Sequence, residues 1–354
     1  MYGLRRLFNS EIFQGKYKKR NYFEGWYYKL IDPTMEHAIA IIPGISMGKN
    51  RKDCHAFIQV LYNGRQVSYY RFDLRAFRYH KKRFAIRIGQ NYFSESRLYL
   101  RMCHPNAEHS KHIKQSKDMK QSSDWIQSNT MKQRNDQQPG DDNIELSCNL
   151  IFKDIIRLPK SLYLPGIMGP YTYIPFMECY HGIINIHHNI TGNLKIGDKQ
   201  IDFTGGYGYI EKDWGRSFPK TWVWLQSNHF GNRDASIMLS AARIPWLGSS
   251  FPGFISFLRI REKLYLFATY TGAKLIRLDY EQGILRALIM DRSYRLELSV
   301  TQTQGGELKA PSMGRMERTI IESISSVVQI RFCRRSGELL FEGTGTNAGL
   351  EIVD

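Results

Sequence analysis

The chain has 354 residues, of which 42% are hydrophobic, so it is long enough to bury the cores of two domains. Its 50 Lys and Arg against 33 Asp and Glu give a formal net charge of +17, which favours anionic partners such as lipid head groups or an acidic substrate. The basic residues are spread along the chain without an arginine-rich helix or a nucleic-acid-binding motif, so we expect no specific nucleic-acid partner.

Residues 1–20 are basic and form a segment of their own. Four of its apolar residues fall roughly at helical spacing, at Leu4, Leu7, Phe8 and Ile12. Two interpretations are open: an amphipathic segment on a membrane surface, or a tail that caps the fold. The segment lacks an apolar signal core, and the five cysteines are isolated. We therefore expect a cytoplasmic protein, with peripheral contact to anionic membranes left open.

Residues 21–165 predict a first β-domain. Short alternating runs follow one another from Tyr22–Ile31 onward, and turn signals such as Asn63-Gly64 separate them. No sustained helical period interrupts them, so we predict an antiparallel meander. Residues 104–143 are rich in Lys, Gln, Ser, Asn and Asp, and we interpret them as a long polar insertion in this domain.

Residues 166–354 predict a second β-domain. The Pro- and Gly-rich stretch from Leu158 to Pro175 marks the expected boundary. Further alternating runs with turn-like gaps follow it. The chain thus contains two successive meanders, and the edge strands of each must be paired or covered, which favours two barrels or strongly curved sheets. The predicted fold class is therefore all-β, with two tandem antiparallel β-domains.

The stretch Gly205–Phe230 contains two aromatic-rich runs separated by a short turn segment. Because alternate side chains of a strand share a face, each run places aromatic and polar side chains together. The side chains predicted to share a face are Tyr207, Tyr209, Glu211 and Asp213 in the first run, and Trp222, Trp224, Gln226 and Asn228 in the second. Ordinary sheet core is the alternative interpretation, but buried carboxylates and amides favour a small-molecule cavity.

The carboxylates Glu211 and Asp213 are the best candidates for acid–base chemistry. Two carboxylates at i and i+2 on one strand face push their pKa values apart, so that one stays protonated near neutral pH. The alternative is that they form ion pairs with Lys212 or Arg216 and only stabilise the barrel. We predict no metal site, because adjacent pairs such as His187-His188 point to opposite faces of a strand.

Four motifs carry a resemblance to a known family: FEGWYYK at Phe23–Lys29, HAFIQV at His55–Val60, the block at Gly206–Phe230, and FEGTGTNAGLEI at Phe341–Ile352. They resemble the tocopherol cyclase family, which is similar in turn to two-domain lipocalin-like proteins that include carotenoid hydratases. The resemblance spans nearly the whole chain. It implies two lipocalin-like β-barrels that meet face to face, with a ligand between or inside them.

The resemblance also implies an activity, the acid-catalysed cyclisation of a prenylated hydroquinone to a chromanol, with no nicotinamide, flavin or metal cofactor. The acid would protonate an alkene, and the phenol oxygen would close on the cation. By motif position the expected acids are Asp213, its partner Glu211 and a further acid Glu24. The expected substrate-binding residues are Trp26, Tyr28, Tyr207, Tyr209, Trp222 and Trp224 around the apolar chain and the cation, and Gln226 and Asn228 on the quinol oxygens.

Two other functions stay open at this point. A non-catalytic carrier of an isoprenoid lipid would use the same cavity without turnover. An interaction protein would use its basic surface and the insertion 104–143 to bind an anionic partner. The sequence predicts neither the substrate nor the oligomeric state.

Overall fold

The structure is a computed structural model that describes residues 8–102, 125–127, 144–231, 234–246 and 249–354. The predicted insertion 104–143 lies outside the described residues except for the short strand Trp125–Gln127. The described elements are mainly β-strands, with short 3-10 helices at Arg51–Asp53, Leu74–Ala76, Gly169–Tyr173 and Thr269–Thr271. In the described part of the chain, no helix is long and apolar enough to cross a membrane.

The first sheet contains fourteen strands in the order β4-β3-β2-β1-β14-β11-β10-β8-β7-β6-β5-β9, with β12 and β13 beside β10. Their bounds are β1 (Tyr22–Ile31), β2 (Ala38–Met47), β3 (His55–Tyr62), β4 (Gln66–Phe72), β5 (Phe77–His80), β6 (Ala85–Ile88), β7 (Asn91–Ser94), β8 (Arg97–Met102), β9 (Trp125–Gln127), β10 (Leu146–Ile156), β11 (Cys179–Thr191), β12 (Asn193–Ile196), β13 (Lys199–Asp202) and β14 (Tyr207–Gly215).

The second sheet contains ten strands in the order β18-β17-β16-β15-β24-β23-β21-β20-β19, with β22 on β23. Their bounds are β15 (Trp222–Ser227), β16 (Ala235–Trp246), β17 (Ser249–Ile260), β18 (Lys263–Ala268), β19 (Lys274–Glu281), β20 (Ile284–Met290), β21 (Tyr294–Thr301), β22 (Gly306–Ser312), β23 (Arg315–Arg334) and β24 (Leu339–Val353).

Each sheet curves around a core of its own. In the first sheet, one face of nearly every strand contributes to a single apolar cluster that includes Trp26, Tyr28 and Leu150. In the second sheet, Leu225, Leu298 and other inward side chains form the corresponding cluster. Alternating strands that wrap a core in this way are typical of lipocalin-like barrels, so the predicted all-β fold with two such units is confirmed.

A third apolar cluster lies between the two barrels. The outer faces of β1 and β14 contribute Tyr27 and Tyr209, and the second sheet contributes Trp224, Met238 and Ile324. The long hairpin of β22 and β23 extends onto the first sheet, where the backbone N–H of Lys309 donates to the side-chain oxygen of Gln59 at 2.8 Å. This third cluster surrounds the candidate site.

The chain changes sheets only once in its central stretch, between Gly215 at the end of β14 and Trp222 at the start of β15. β14 pairs with β1 and β11, whereas β15 pairs with β16 and β24, so the two aromatic-rich strands lie in different sheets. The predicted boundary between residues 165 and 166 differs from this division. Residues 179–215 belong to the first sheet because β11 and β14 pair with its strands.

The central strands β1 and β14 of the first sheet are held by a buried ion pair. Trp26 lies opposite Lys212 in the antiparallel register, and the Lys212 ammonium reaches Glu24 at 2.5 Å with both side chains fully buried. Glu24 also accepts hydrogen bonds from the Tyr22 hydroxyl and from the backbone N–H groups of Gln14 and Gly15. Each charge therefore depends on the other for its stability inside the barrel.

We expect Lys212→Met to lower the free energy of unfolding by about 3–5 kcal/mol, because it leaves the Glu24 carboxylate buried without its cation. The double variant Glu24→Gln/Lys212→Met removes both charges and keeps an acceptor for the backbone N–H groups, so it should recover much of that loss. Urea unfolding measures both. An exposed-site control, Lys195→Met on β12, should stay close to wild type, and a loss below about 1 kcal/mol for Lys212→Met would contradict this account of the pair.

Candidate functional site

A cavity of about 180 Å³ lies between the two barrels. Its walls are mostly apolar and aromatic, with a few acidic groups contributed by both sheets. Among the lining side chains are Phe57, Trp222, Trp224, Glu211, Asp213 and Glu351. An apolar cavity of about 150 Å³ holds a benzene ring, so this one has room for a single aromatic ring with its nearest substituents.

Strand β14 directs Glu211 and Asp213 toward the cavity, and the neighbouring strand β11 places His181 directly opposite Asp213. His181 Nδ1 lies 2.9 Å from a carboxylate oxygen of Asp213, and its Nε2 lies 3.6 Å from Oε2 of Glu211. One imidazole thus lies between two carboxyl groups. The predicted pair of acids on one strand face is present, and a histidine joins it from the next strand.

The pKa values of Glu211 and His181 both lie above their ordinary values, so both groups can hold a proton near neutral pH. Burial, with the nearby Asp213 charge, raises the pKa of Glu211 from its ordinary 4.5 to about 7, although His181 opposes the shift. Burial lowers the pKa of His181, but the charges of Glu211 and Asp213 outweigh it and raise that pKa to about 9. Glu211 is therefore partly protonated at neutral pH and His181 is mostly a cation.

Two further carboxyl groups reach the same region from the second sheet. Glu351 on β24 accepts a hydrogen bond from Trp222 Nε1 at 2.7 Å, and burial holds its pKa well above the ordinary value. Glu322 on β23 accepts a hydrogen bond from the Tyr27 hydroxyl, and burial raises its pKa to about 8. These acids also raise one another's pKa, because like charges cannot all ionise at close range.

The aromatic walls are fixed by the same carboxyl groups. Trp224 Nε1 donates to Oε2 of Glu211 at 3.1 Å, and the Tyr209 hydroxyl donates to the same oxygen at 2.6 Å. The Tyr27 ring meets the Trp224 ring edge-on with centroids 5.3 Å apart. Trp222 and Trp224 line the cavity while Leu225 packs in the core of the second barrel, which agrees with the predicted alternation along this strand.

Three residues predicted for the site lie elsewhere. Glu24, Trp26 and Tyr28 occupy the other face of β1 and point into the first barrel, where Trp26 and Tyr28 belong to its core. Tyr27, between them, faces the cavity instead. The alternation along β1 is as expected, but both faces of the strand are buried, and Glu24, Trp26 and Tyr28 lie on the face that points away from the cavity.

Four other predicted residues are placed near the barrel interface but outside the cavity lining. The Gln226 side chain accepts from the buried Lys29 ammonium at 2.7 Å, and Asn228 donates to the carbonyl of Gly208 at 3.0 Å. Tyr207 is 41% exposed and packs against the ring of His229. Tyr209 is buried behind Glu211 and positions it. These contacts stabilise the interface between the barrels.

His181, Tyr27, Glu322 and Glu351 were not among the predicted site residues. Glu351 belongs to the quoted motif at Phe341–Ile352, so that motif was the available signal for it. Glu322 lies outside the four motifs quoted above. His181 becomes recognisable only through its cross-strand pairing with Asp213, which is not local in sequence.

A metal ion is a further chemical possibility for this geometry. One ligand atom each from His181, Glu211 and Asp213 lie within 4.8 Å of one another. However, Nδ1 of His181 faces Asp213, and the Glu211 oxygen nearest to the imidazole already accepts two hydrogen bonds. This arrangement favours an acid–base group, and the predicted absence of a metal site stays a prediction.

The raised pKa values predict how stability depends on pH. In the folded protein Glu211 and Glu322 hold protons between about pH 4.5 and pH 7 to 8 that the unfolded chain has released. Their contribution to stability is complete below that window and is lost as the pH rises through it. His181 acts in the same direction between pH 6.5 and about 9.

We expect Glu211→Gln to gain urea midpoint relative to wild type as the pH rises from about 5 to about 7, because wild type loses the contribution of the Glu211 proton over this range. The two proteins are compared with each other because the lowered pKa values of Lys29, His55 and His229 act on the whole curve in the opposite direction. The exposed Glu342→Gln should run parallel to wild type, and a constant difference between Glu211→Gln and wild type across this range would contradict the protonated state assigned to Glu211.

Comparison with known proteins assigns the sequence to a family. A protein-family model described as "Tocopherol cyclase-like" matches residues 20–353. A curated relative, "Probable tocopherol cyclase, chloroplastic" of Oryza sativa subsp. japonica, is 28% identical over 146 residues, which cover 39% of this chain and 30% of the relative. "Tocopherol cyclase, chloroplastic" of Zea mays is 23% identical over 196 residues, which cover 50% of this chain and 40% of the relative.

The matches thus span less than half the length of these curated relatives. Among solved structures, the crystal structure of CghA with Sch210972 superimposes with a TM-score of 0.54 at 10% identity, covering 94% of this chain and 89% of CghA. At that identity the likeness concerns the fold alone. Since the family model matches nearly the whole chain, the protein belongs to the tocopherol cyclase-like family.

Proposed function

We propose that the protein is an enzyme that protonates an alkene of a prenylated quinol or a related isoprenoid lipid and thereby closes a ring. The observation that carries this proposal is a carboxyl group, Glu211, that stays partly protonated near neutral pH on the wall of an aromatic cavity. Membership of the tocopherol cyclase-like family supports the same class of reaction.

An alkene is a very weak base, so its protonation needs an acid that is still protonated at the working pH, in a site that excludes water. Glu211 is only 4% exposed, and its main pKa shift comes from burial. In such a site the neutral acid is the stable form, and a proton donor with a pKa near the working pH is the most effective one. We expected Asp213 to be the acid; the geometry favours Glu211 as donor, with Asp213 orienting His181.

The cation formed by protonation needs stabilisation until the ring closes. The indoles of Trp222 and Trp224 lie on the cavity wall, and each is held by a hydrogen bond from its N–H to a carboxyl group. Aromatic faces attract cations, most strongly where water is excluded. The nearby carboxyl groups add negative charge as they ionise, which also favours the cation.

Ring closure releases a proton that replaces the one lost by the acid. The phenol oxygen attacks the tertiary carbon, the new C–O bond forms, and the phenol proton passes to the carboxylate of Glu211. The acid is thereby restored and the net reaction is an isomerisation without an added cofactor. In the proposed binding mode the cavity holds the aromatic ring, and the prenyl chain extends toward the opening.

We expect Glu211→Gln to lower kcat for cyclisation of a prenylated hydroquinone by about 10²–10⁴-fold, because the amide keeps the contacts to Tyr209 and Trp224 but donates no acidic proton. Binding of the quinol, measured by quenching of tryptophan fluorescence, should stay within a few-fold of wild type. Asp213→Asn should also lower kcat, by releasing His181 from its fixed orientation.

The matched control is Glu342→Gln, an exposed carboxyl group on the second barrel whose loss should leave kcat unchanged. A non-catalytic carrier would bind the quinol and give no product with any variant, including wild type. If Glu211→Gln instead retained wild-type turnover, the assignment of the acid would be wrong. Equal losses of thermal stability and activity would point to a purely structural role for the carboxyl group.

A further inference from the structure

Residues 157–178 connect β10 to β11 without a strand, and we call them the mouth loop. Several of their large apolar side chains face solvent: Phe176 is 91% exposed, Tyr163 87% and Leu162 73%. Single exposed apolar residues are common, but several in one loop are typical of a surface that binds a protein or a membrane.

The mouth loop is held firmly although its tips are exposed. Ile167 is fully buried at its base, and its carbonyl accepts a hydrogen bond from the Tyr270 hydroxyl of the second barrel at 2.6 Å. The Tyr173 hydroxyl donates to the carbonyl of Leu162 at 2.5 Å, which ties the two halves of the loop together. The exposed side chains are therefore presented on a fixed support.

The backbone at Phe176 is unusual. Its φ of +65° lies in the left-handed region, which bulky residues seldom occupy. A conformation of that kind costs free energy, and it persists here while the side chain gains almost no burial. Phe176 thus has a strained backbone and an exposed side chain, and neither feature contributes to the stability of the fold.

The same loop forms part of the cavity wall. Met168, Tyr171 and Met177 line the cavity, and Met177 directly follows Phe176 in the chain. The exposed side chains therefore belong to the same loop that forms part of the cavity wall.

Positive charge accompanies the exposed apolar residues. Arg216 and Lys220 are exposed and lie near Glu178 in the mouth loop: burial raises the pKa of Glu178, and these two positive charges partly oppose that shift. The chain as a whole carries a formal net charge of +17. Apolar insertion together with basic residues is the combination that binds anionic lipid surfaces, since either signal alone is weak.

We propose that the mouth loop docks on an anionic lipid bilayer, with Leu162, Tyr163 and Phe176 in the interfacial layer and the cavity opening toward the lipid. Tyr163 suits this layer because its ring is apolar while its hydroxyl can stay hydrated, and Leu162 and Phe176 would insert as purely apolar side chains. The reason for docking rests on the proposed function, since a prenylated quinol resides in membranes. Docking can be measured as binding to lipid vesicles, which does not require the protein to turn over a substrate.

The test is cosedimentation of the full chain with phosphatidylcholine vesicles that contain or lack phosphatidylserine. Leu162→Ser/Phe176→Asn removes the two most apolar tips, and asparagine tolerates the left-handed backbone at position 176. Because each tip buries one large apolar side chain, we expect binding to the anionic vesicles to fall at least about tenfold. Lys220→Gln should weaken it less and reduce its dependence on salt.

The matched control is Leu339→Ser, an exposed leucine at the end of β24 away from the cavity, which should bind vesicles as wild type does. Wild-type binding by the double variant, an equal loss for Leu339→Ser, or indifference to phosphatidylserine would each overturn the proposal. Self-association of wild type that the double variant abolishes, seen by sedimentation velocity without vesicles, would assign the surface to a second copy and overturn it as well.

The two proposals fail in distinguishable ways. If detergent-dispersed prenylated hydroquinone gives no product but the double variant still loses vesicle binding, the docking surface stands and the cyclase assignment falls. If wild type and the double variant turn over dispersed substrate equally and also bind vesicles equally, the cyclase assignment stands and the docking surface falls.

Discussion

The candidate site depends on one constraint, the two-residue period of the paired strands β1 and β14. Both faces of these strands are buried, one in the first barrel and the other between the barrels. On β14, Glu211 and Asp213 face the cavity while Lys212, between them, pairs with Glu24 inside the barrel. A shift of one residue would exchange the two compartments, so the buried ion pair fixes the register that gives the cavity its acids.

The same period explains what the sequence could predict and what it could not. Alternation sufficed to group Glu211 with Asp213, and Trp222 with Trp224, and these four side chains do line the cavity. It could not tell which of two buried faces of a strand meets the cavity. Trp26 was therefore grouped with the site although it packs in the first barrel, whereas its neighbour Tyr27 was missed.

The remaining site residues depend on strand order, which a local pattern does not contain. His181 lies opposite Asp213 only because β11 pairs with β14, and Glu351 reaches the cavity because β24 pairs with β15. The Pro- and Gly-rich stretch around residues 158–175 had the composition of a linker. It is instead a loop within the first sheet's part of the chain, and its Met168 and Tyr171 form part of the cavity wall.

The concentration of acids at the cavity and next to it has a consequence for both stability and chemistry. Burying an ionised carboxylate is far more costly than burying a neutral carboxyl group, so burial shifts Glu211, Glu322 and Glu351 toward the neutral form. Oε2 of Glu322 has no hydrogen-bond partner among the described residues, which a core selected only for stability would avoid. The neutral carboxyl group that burial requires is also the species that can protonate an alkene. Removal of the acids from water is thus the main cause of their raised pKa values and also the basis of the reactivity we propose.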